Sequence, residues 1–134
     1  MPRLILVNHS QPEIIAGRPP SQWCLSAEGR RRCLTLASRL AAYHPARVIT
    51  SPEKRAYETA QRVSQKLGVP LLVNDRLYEH RRDTVPYLPE KQFRQAIQSM
   101  MQKPEVRVFG EESAAESLAR FSNAIWRLLE RYPS

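Results

Sequence analysis

The sequence is poor in cysteine and in long apolar runs, and each shortage excludes a class of protein. Cys24 and Cys33 are the only cysteines among 134 residues, and their spacing fits no metal-binding motif. We expect both to be buried, reduced thiols in a protein that needs no metal or other cofactor. No apolar run approaches the roughly 18 to 20 residues of a membrane span, and the N-terminus lacks the cleavage site of a signal peptide. The prediction is a cytoplasmic protein with no membrane partner.

Acidic residues are also scarce, since 13 of them face 21 lysines and arginines and leave a net charge of +8. A basic excess favours anionic partners, such as phosphorylated small molecules, nucleic acid or acidic surfaces. We do not expect nucleic acid, because no helix-turn-helix, zinc or aromatic RNA-binding motif is present. Arginines 30–32 fall on a predicted helix, where a solvated face explains them. Arg81 and Arg82 lie in a loop beside candidate site residues, and both solvation and ligand binding stay open for them.

Short apolar runs alternate with amphipathic segments, a pattern typical of an α/β fold with a parallel sheet. The predicted strands cover residues 4–7, 47–50 and 70–73. The predicted helices are one capped by Ser26 and stopped at His44-Pro45, one capped by Ser51 and ended by Gly68, and two over about residues 89–102 and 113–132. Right-handed crossovers would cover the sheet on both faces. The sequence therefore predicts a three-layer α/β/α sandwich with a mainly parallel sheet.

Polar residues follow the predicted strands at the edge where parallel sheets bind ligands. The first strand leads into Asn8-His9-Ser10, the second into Ser51, and the third toward Glu79. A neutral imidazole can attack phosphorus, and an arginine such as Arg55 on the next helix can grip phosphoryl oxygens. A carboxylic acid such as Glu79 can protonate the leaving alkoxide. This combination of residue types is suited to processing a phosphate ester.

Five segments, in order along the chain, resemble the histidine phosphatase superfamily, which includes the cofactor-dependent phosphoglycerate mutases. The segment from Ser51 to Ala60 matches the family pattern Ser-Pro-x-x-Arg-Ala-x-x-Thr-Ala at every fixed position. The other four are Leu4 to Ser10, Leu25 to Gly29, Arg76 to Glu79, and Gly110 to Ser113 with Glu116. The resemblance implies a phosphoglycerate mutase-like fold with His9 as the phosphate-accepting nucleophile and Glu79 as the proton donor. It implies Arg55 as a phosphate clamp, with Asn8 and Ser10 as further phosphate contacts.

Two departures from the family pattern bear on activity. Asn8 stands where the family has arginine, so a neutral amide replaces a charged, bidentate group. The last apolar strand of the family, which ends in a second histidine, is absent from the 134 residues. We therefore expect a single domain over residues 1–134 that is incomplete at its C-terminal end. The unpaired edge of the first strand would also allow a homo-oligomer. His44 is predicted to end a helix, and no motif gives His80 the missing role.

These observations favour a phosphomonoester hydrolase that works through a phosphohistidine at His9. The substrate would be a phosphorylated small molecule or a phosphoprotein, and the variable loops of the family do not distinguish between them. The alternative is a catalytically degenerate relative that binds a phosphorylated ligand or partner without turnover, as Asn8 suggests. A mutase is less favoured, because nothing in the loop 74–88 identifies a sugar-phosphate pocket.

Overall fold

The computed structural model describes residues 2–133, which form two compact units. We call the first the sheet unit, made of Val7–Ile15 and Ser21–Asp75. We call the second the helical unit, made of residues 2–6, 16–20 and 76–133. Each unit is described by itself. Pro20–Gln22 forms one turn of 3₁₀ helix.

The sheet unit contains two helices and a pair of parallel strands. In chain order these are α1 (Ala27–Ala41), β1 (Val48–Thr50), α2 (Lys54–Leu67) and β2 (Leu71–Val73). The strands pair in parallel with Ile49 opposite Leu72, and α2 makes the crossover between them. The parallel connection through a helix confirms the predicted α/β class. Within residues 2–133, however, the sheet has two strands and not three.

The first predicted strand is the one that the structure does not contain, because residues 4–7 form no strand. Leu4, Ile5, Leu6 and Val7 are between 37% and 66% exposed. A strand exists only through hydrogen bonds to a neighbouring strand, and in the described chain β1 and β2 pair only with each other. The prediction of a strand over residues 4–7 was therefore wrong, because apolar composition favours a strand but does not supply a neighbouring strand to pair with.

Local signals placed most helix ends correctly. The Ser26 hydroxyl oxygen accepts the Gly29 N–H at 2.9 Å, so Ser26 caps α1 as predicted. His44 follows the end of this helix with a left-handed φ of 49°. Gly68 ends α2 with a left-handed φ of 67°, a conformation that glycine adopts at little cost.

The predicted start of α2 was wrong by two residues. Ser51 is not the cap, since the helix begins at Lys54 and Glu53 occupies the cap position without a side-chain cap bond. The Thr50 carbonyl accepts the Asn74 N–H at 2.8 Å, and the Thr50 hydroxyl donates to the Ser51 carbonyl at 3.0 Å. The bond from Asn74 continues the parallel pairing to the end of β1, and Glu53 has an extended backbone, so the helix starts later than the local sequence predicts.

The helical unit contains α3 (Glu90–Gln102) and α4 (Ala114–Arg131), close to the predicted ranges. Ser113 caps α4 through a reciprocal capping box with Glu116, which satisfies two backbone donors at the start of the helix. Met100, Phe109 and Ala124 are the buried apolar residues of this unit. No helix within residues 2–133 has both the length and the apolar character to cross a membrane.

Candidate functional site

The imidazole of His9 is held by two hydrogen bonds that require the same tautomer. Nδ1 donates to the Ser10 carbonyl at 2.7 Å, and Nε2 accepts a bond from Arg55 Nε at 3.1 Å. A neutral ring that carries its proton on Nδ1 satisfies both bonds at once. Such a ring presents its Nε2 lone pair to Arg55, and that lone pair is the nucleophilic one.

Arg55 is the second residue of α2 and is almost completely buried, with 2% of its surface exposed. Besides its bond to His9, its Nη2 forms an ion pair with Glu53 at 3.1 Å. A buried guanidinium needs such partners, because an unpaired buried charge is strongly unfavourable. The start of a helix also favours bound anions through its exposed N–H groups. His9 and Arg55 thus come together, although the strand predicted before His9 does not form.

The backbone that carries His9 is tied to α2 through Thr59. The Ser10 N–H donates to the Thr59 hydroxyl at 3.0 Å, and that hydroxyl donates to the Arg55 carbonyl at 2.8 Å. The Ser10 hydroxyl donates to the Gly29 carbonyl at 2.7 Å. The sheet unit therefore uses the Ser10 hydroxyl to join the loop to α1, and a phosphate contact by Ser10 stays a prediction.

The same loop lies directly against α1 at Gly29. A Cβ placed on Gly29 would be 2.1 Å from the Gln11 carbonyl oxygen, so no side chain fits there. The Gln11 carbonyl also accepts the Ser26 N–H at 3.0 Å, and Pro12 forms an antiparallel bridge with Leu25, which is fully buried. The segment from Leu25 to Gly29 thus fixes the path of the His9 loop.

Thr59 and Gly29 are positioning residues to which sequence reasoning gave no role. Both occupy fixed positions of the segments that resemble the family, and this was the signal that could have found them. Their roles depend on where the His9 loop runs, which no local pattern reveals. Asn8, the third predicted phosphate contact, is exposed.

Glu79, the predicted proton donor, belongs to the helical unit, whereas His9 and Arg55 belong to the sheet unit. Its carboxylate lies 3.6 Å from Arg82 Nη2, and its side chain is 38% exposed. Arg82 also donates through Nη1 to the His80 carbonyl at 3.2 Å. Of the two loop arginines, Arg82 thus faces the candidate acid, and the guanidinium of Arg81 lies over the Tyr78 ring at 4.1 Å.

The segment that precedes α4 holds the Glu79 loop from the other side. His80 Nε2 donates to the Glu112 carbonyl at 2.6 Å, and the His80 ring stacks on Phe109 with centroids 6.0 Å apart. These contacts give His80 a structural place in the loop. Gly110 has a φ of 80°, and a Cβ there would be 2.4 Å from the Arg81 carbonyl oxygen.

The remaining candidate groups support structure. Cys33 is buried as predicted, and burial raises the pKa of its thiol. Cys24 is only half-buried, so the prediction of a buried thiol was wrong for this residue. Within residues 2–133, no three side chains of His, Cys, Asp or Glu lie together as ligands for a metal ion.

The arginine cluster on α1 is a solvated face, as predicted. Arg31 and Arg32 are 70% and 63% exposed and pair with Glu28, while Arg30 pairs with Glu58 at 2.7 Å. Burial tends to raise the pKa of the Glu58 carboxyl, but bonds from Arg30 and the Leu25 N–H outweigh it and lower that pKa. Glu58 thereby ties the start of α1 to α2.

Comparisons with known proteins show which family and fold this chain is similar to. The sequence profile of the histidine phosphatase superfamily (branch 1) matches residues 4–134. No curated protein matches the sequence significantly. Among solved structures, mycobacterial glucosyl-3-phosphoglycerate phosphatase in complex with inorganic phosphate is 25% identical with a TM-score of 0.71, and the match covers 93% of this chain and 61% of that one.

Two further solved structures show the same fold. Mycobacterial hydrolase 2 is 25% identical with a TM-score of 0.76, over 93% of this chain and 57% of that one. YhfR of Bacillus stearothermophilus is 22% identical with a TM-score of 0.71, over 92% of this chain and 65% of that one. The chain thus spans about three fifths of the length of these structures. The profile match over nearly the whole sequence shows that this chain belongs to the histidine phosphatase superfamily.

Proposed function

We propose that this chain hydrolyses phosphate monoesters through a phosphohistidine formed on His9. The observation that carries the proposal is the pair of hydrogen bonds on the His9 ring, from Nδ1 to the Ser10 carbonyl and from Arg55 to Nε2. They favour a neutral imidazole that keeps its proton on Nδ1 and its lone pair on Nε2. A neutral, oriented imidazole is the form that can act as a nucleophile.

In the first half-reaction, the Arg55 N–H leaves Nε2 of His9 and bonds to a phosphoryl oxygen, and the freed Nε2 lone pair attacks phosphorus while the bond from phosphorus to the leaving oxygen breaks. Arg55 Nε lies 3.1 Å from the attacking nitrogen, so its guanidinium is within reach of the phosphoryl oxygens. These oxygens carry the charge of the transition state, and a guanidinium stabilises that charge. Glu79 gives its carboxylic acid proton to the leaving alkoxide.

The intermediate has a positively charged imidazole, with phosphorus on Nε2 and the proton still on Nδ1. The bond from Nδ1 to the Ser10 carbonyl stabilises that charge. In the second half-reaction, water attacks phosphorus, the bond from nitrogen to phosphorus breaks, and the Glu79 carboxylate takes the proton of the water. Neutral His9, protonated Glu79 and inorganic phosphate result.

The substrate class we propose is a phosphorylated small molecule or a phosphoprotein, in line with the net charge of +8. One similar solved structure is a glucosyl-3-phosphoglycerate phosphatase, which makes glucosyl-3-phosphoglycerate the first compound to test. A phosphopeptide represents the second class.

Asn8 favours a second candidate function, a relative that binds a phosphorylated ligand or partner without turnover. The side chain is exposed and uncharged where the family resemblance expects arginine. Loss of one charged transition-state contact costs about 3 to 4 kcal/mol, or roughly a hundred- to a thousandfold in rate. Binding of a phosphate ester in the ground state would be affected less.

The test is turnover of p-nitrophenyl phosphate and glucosyl-3-phosphoglycerate, together with detection of acid-labile phosphate on the protein. His9→Ala should abolish both turnover and labelling. The matched control is His44→Asn, because His44 is exposed and Asn tolerates its left-handed backbone. Turnover that persists in His9→Ala would show that His9 is not the nucleophile.

Asn8→Arg distinguishes the two candidate functions. For a hydrolase limited by the missing guanidinium, this variant should raise turnover about a hundredfold or more. For the degenerate relative, inorganic phosphate should bind in calorimetry while neither the parent nor Asn8→Arg forms phosphohistidine.

A further inference from the structure

The guanidinium of Arg120, in the middle of α4, binds the backbone of the loop that carries Glu79. Its side chain is only 8% exposed. Nη1 donates to the carbonyls of Arg76 and Tyr78, both at 2.7 Å, and Nη2 reaches the Glu79 carbonyl at 3.4 Å. One side chain thus binds three carbonyl oxygens within four residues of the loop.

Glu112 completes this arrangement from the other side of Glu79. Its carboxylate accepts bonds from Arg120 at 2.8 Å and 3.4 Å and from the Arg81 N–H at 2.9 Å. Burial tends to raise the pKa of the Glu112 carboxyl, but the bonds from Arg120 and the Arg81 N–H lower it. The pair therefore holds the backbone on both sides of Glu79.

The ring of Tyr78 lies against the same groups. The Arg120 guanidinium is 3.5 Å from the ring centroid, and that of Arg81 is 4.1 Å from it. Stacking of a guanidinium on an aromatic face stabilises the contact and restricts the ring. The residue before Glu79 is thereby fixed through its side chain as well as its carbonyl.

We infer that Arg120, braced by Glu112, is a positioning residue that sets the place of Glu79 for proton transfer. The inference rests on the proposed function, in which Glu79 is the general acid. A buried ion pair by itself adds little stability compared with apolar residues of the same size, so stability alone is a weak reason for this network. The Glu79 side chain is 38% exposed, so the position of its carboxyl group depends on the backbone that Arg120 holds.

The chemistry of the leaving group separates a positioning role from a structural one. An alkyl phosphate releases a strongly basic alkoxide that needs a proton, whereas p-nitrophenyl phosphate releases a stable anion that does not. General acid catalysis contributes about a hundred- to ten-thousandfold where the proton is needed. A displaced acid therefore slows the alkyl ester far more than the aryl ester.

The experiment measures single-turnover release of glycerol from glycerol phosphate and of nitrophenol from p-nitrophenyl phosphate, with the full chain in excess. The test variant is Arg120→Lys, which keeps the positive charge beside Glu112 but cannot bond as a planar fork. The matched control is Arg127→Lys, an exposed arginine on the same helix. Glu79→Gln gives the reference for loss of the acid.

Arg120→Lys should lower the alkyl rate at least about tenfold more than the aryl rate, in the same direction as Glu79→Gln. Equal losses for both esters, or no loss, would overturn the inference. If Glu79→Gln itself shows no preference, the acid assignment fails and the inference fails with it. A preference in Glu79→Gln alone would overturn only the role of Arg120.

Glu112→Gln serves as a second variant if Arg120→Lys does not fold, which urea unfolding would reveal. It keeps the shape of the side chain but removes the charge that braces Arg120. It should produce the same preference to a smaller degree. Equal rates of loss on both esters in a folded Glu112→Gln protein would again refute a positioning role.

Discussion

Replacing Gly29 by alanine tests whether the close approach of α1 to the His9 loop is required. The new Cβ would be 2.1 Å from the Gln11 carbonyl oxygen, whereas ordinary van der Waals contacts of a Cβ begin at 3.4 Å. The loop must therefore retreat by about 1 Å. That movement would stretch the bond from the Ser26 N–H to the same carbonyl, now 3.0 Å.

Three effects set the size of the change in stability. Overpacking of this kind costs about 1 to 3 kcal/mol, and a weakened hydrogen bond costs about 1 kcal/mol. Alanine recovers up to about 1 kcal/mol, because it favours the helix more than glycine does. The net expectation is a loss of about 1 to 3 kcal/mol in the free energy of unfolding.

The effect on activity should be larger than the effect on stability. His9 lies two residues before Gln11, and a displacement of about 1 Å in a reacting group costs about a hundredfold in rate. Phosphohistidine formation in Gly29→Ala should therefore fall by about that factor at temperatures where the variant is folded.

The assay pairs urea unfolding, followed by circular dichroism, with the rate of phosphohistidine formation. Gly17→Ala is the matched control, because an added Cβ there meets no atom within 4 Å. Its stability should change by less than about 0.5 kcal/mol. Equal or greater stability of Gly29→Ala, with an unchanged rate, would show that helix propensity dominates and that the close approach does not constrain His9.

Two further predictions follow from named bonds. Thr59→Val removes the acceptor of the Ser10 N–H and the donor to the Arg55 carbonyl, so it should lower the free energy of unfolding by about 1 to 3 kcal/mol. The matched control is Thr35→Val at an exposed position, which should change the free energy of unfolding little. Bonds from Arg107 and the Ser113 N–H lower the pKa of Glu116 to about 2, so its contribution to stability is present above its ordinary value of 4.5 and is lost as the pH falls toward 2. Glu116→Gln should therefore flatten the fall of the urea midpoint between about pH 5 and about pH 3, and a slope equal to that of the parent chain would refute the assignment.

Most of the secondary structure was predictable, because its signals are local. A serine cap needs only its own hydroxyl and an N–H three residues later, as Ser26 and Ser113 show. The left-handed φ of Gly68 likewise follows from the residue type. Such features do not depend on distant parts of the chain.

The predictions were wrong where the local structure depends on residues far away along the chain. The run 4–7 has the composition of a strand, but a strand also needs another strand beside it, and its sequence does not encode one. Ser51 has the composition of a helix cap, yet the bond from Asn74 to the Thr50 carbonyl keeps the preceding chain extended. In the described residues the run 4–7 has no pairing partner, whereas at Ser51 a bond from a distant residue moves the start of the helix.

The candidate site likewise contains residues that local sequence predicts and residues whose roles depend on distant parts of the chain. His9 and Arg55 were predictable because their residue types suit phosphate chemistry and each lies in a segment that resembles the family, and the structure places Nε2 of His9 3.1 Å from Nε of Arg55. The roles of Thr59, Gly29 and Arg120 were not, because each binds or contacts a backbone group of a distant loop. The role of a residue that holds a loop can be recognised only when the path of that loop is known.

The loops that carry the candidate residues His9 and Glu79 are supported by the same arrangement, a glycine close to a serine helix cap. Gly29 lies three residues after the cap Ser26, and the Gln11 carbonyl lies against it. Gly110 lies three residues before the cap Ser113, and the Arg81 carbonyl oxygen lies against it, 2.4 Å from where a Cβ would be. In each unit a rigid helix start thereby fixes a loop through backbone contact.

Asn8 lies outside these supports. It is exposed, and the bonds that fix the His9 loop begin at Ser10. The departure from the family at this position therefore changes the charge beside the proposed nucleophile without removing a hydrogen bond that fixes the His9 loop. For this reason Asn8→Arg should leave the urea midpoint nearly unchanged while it changes turnover. A large loss of stability in Asn8→Arg would show that Asn8 also helps to fix the His9 loop.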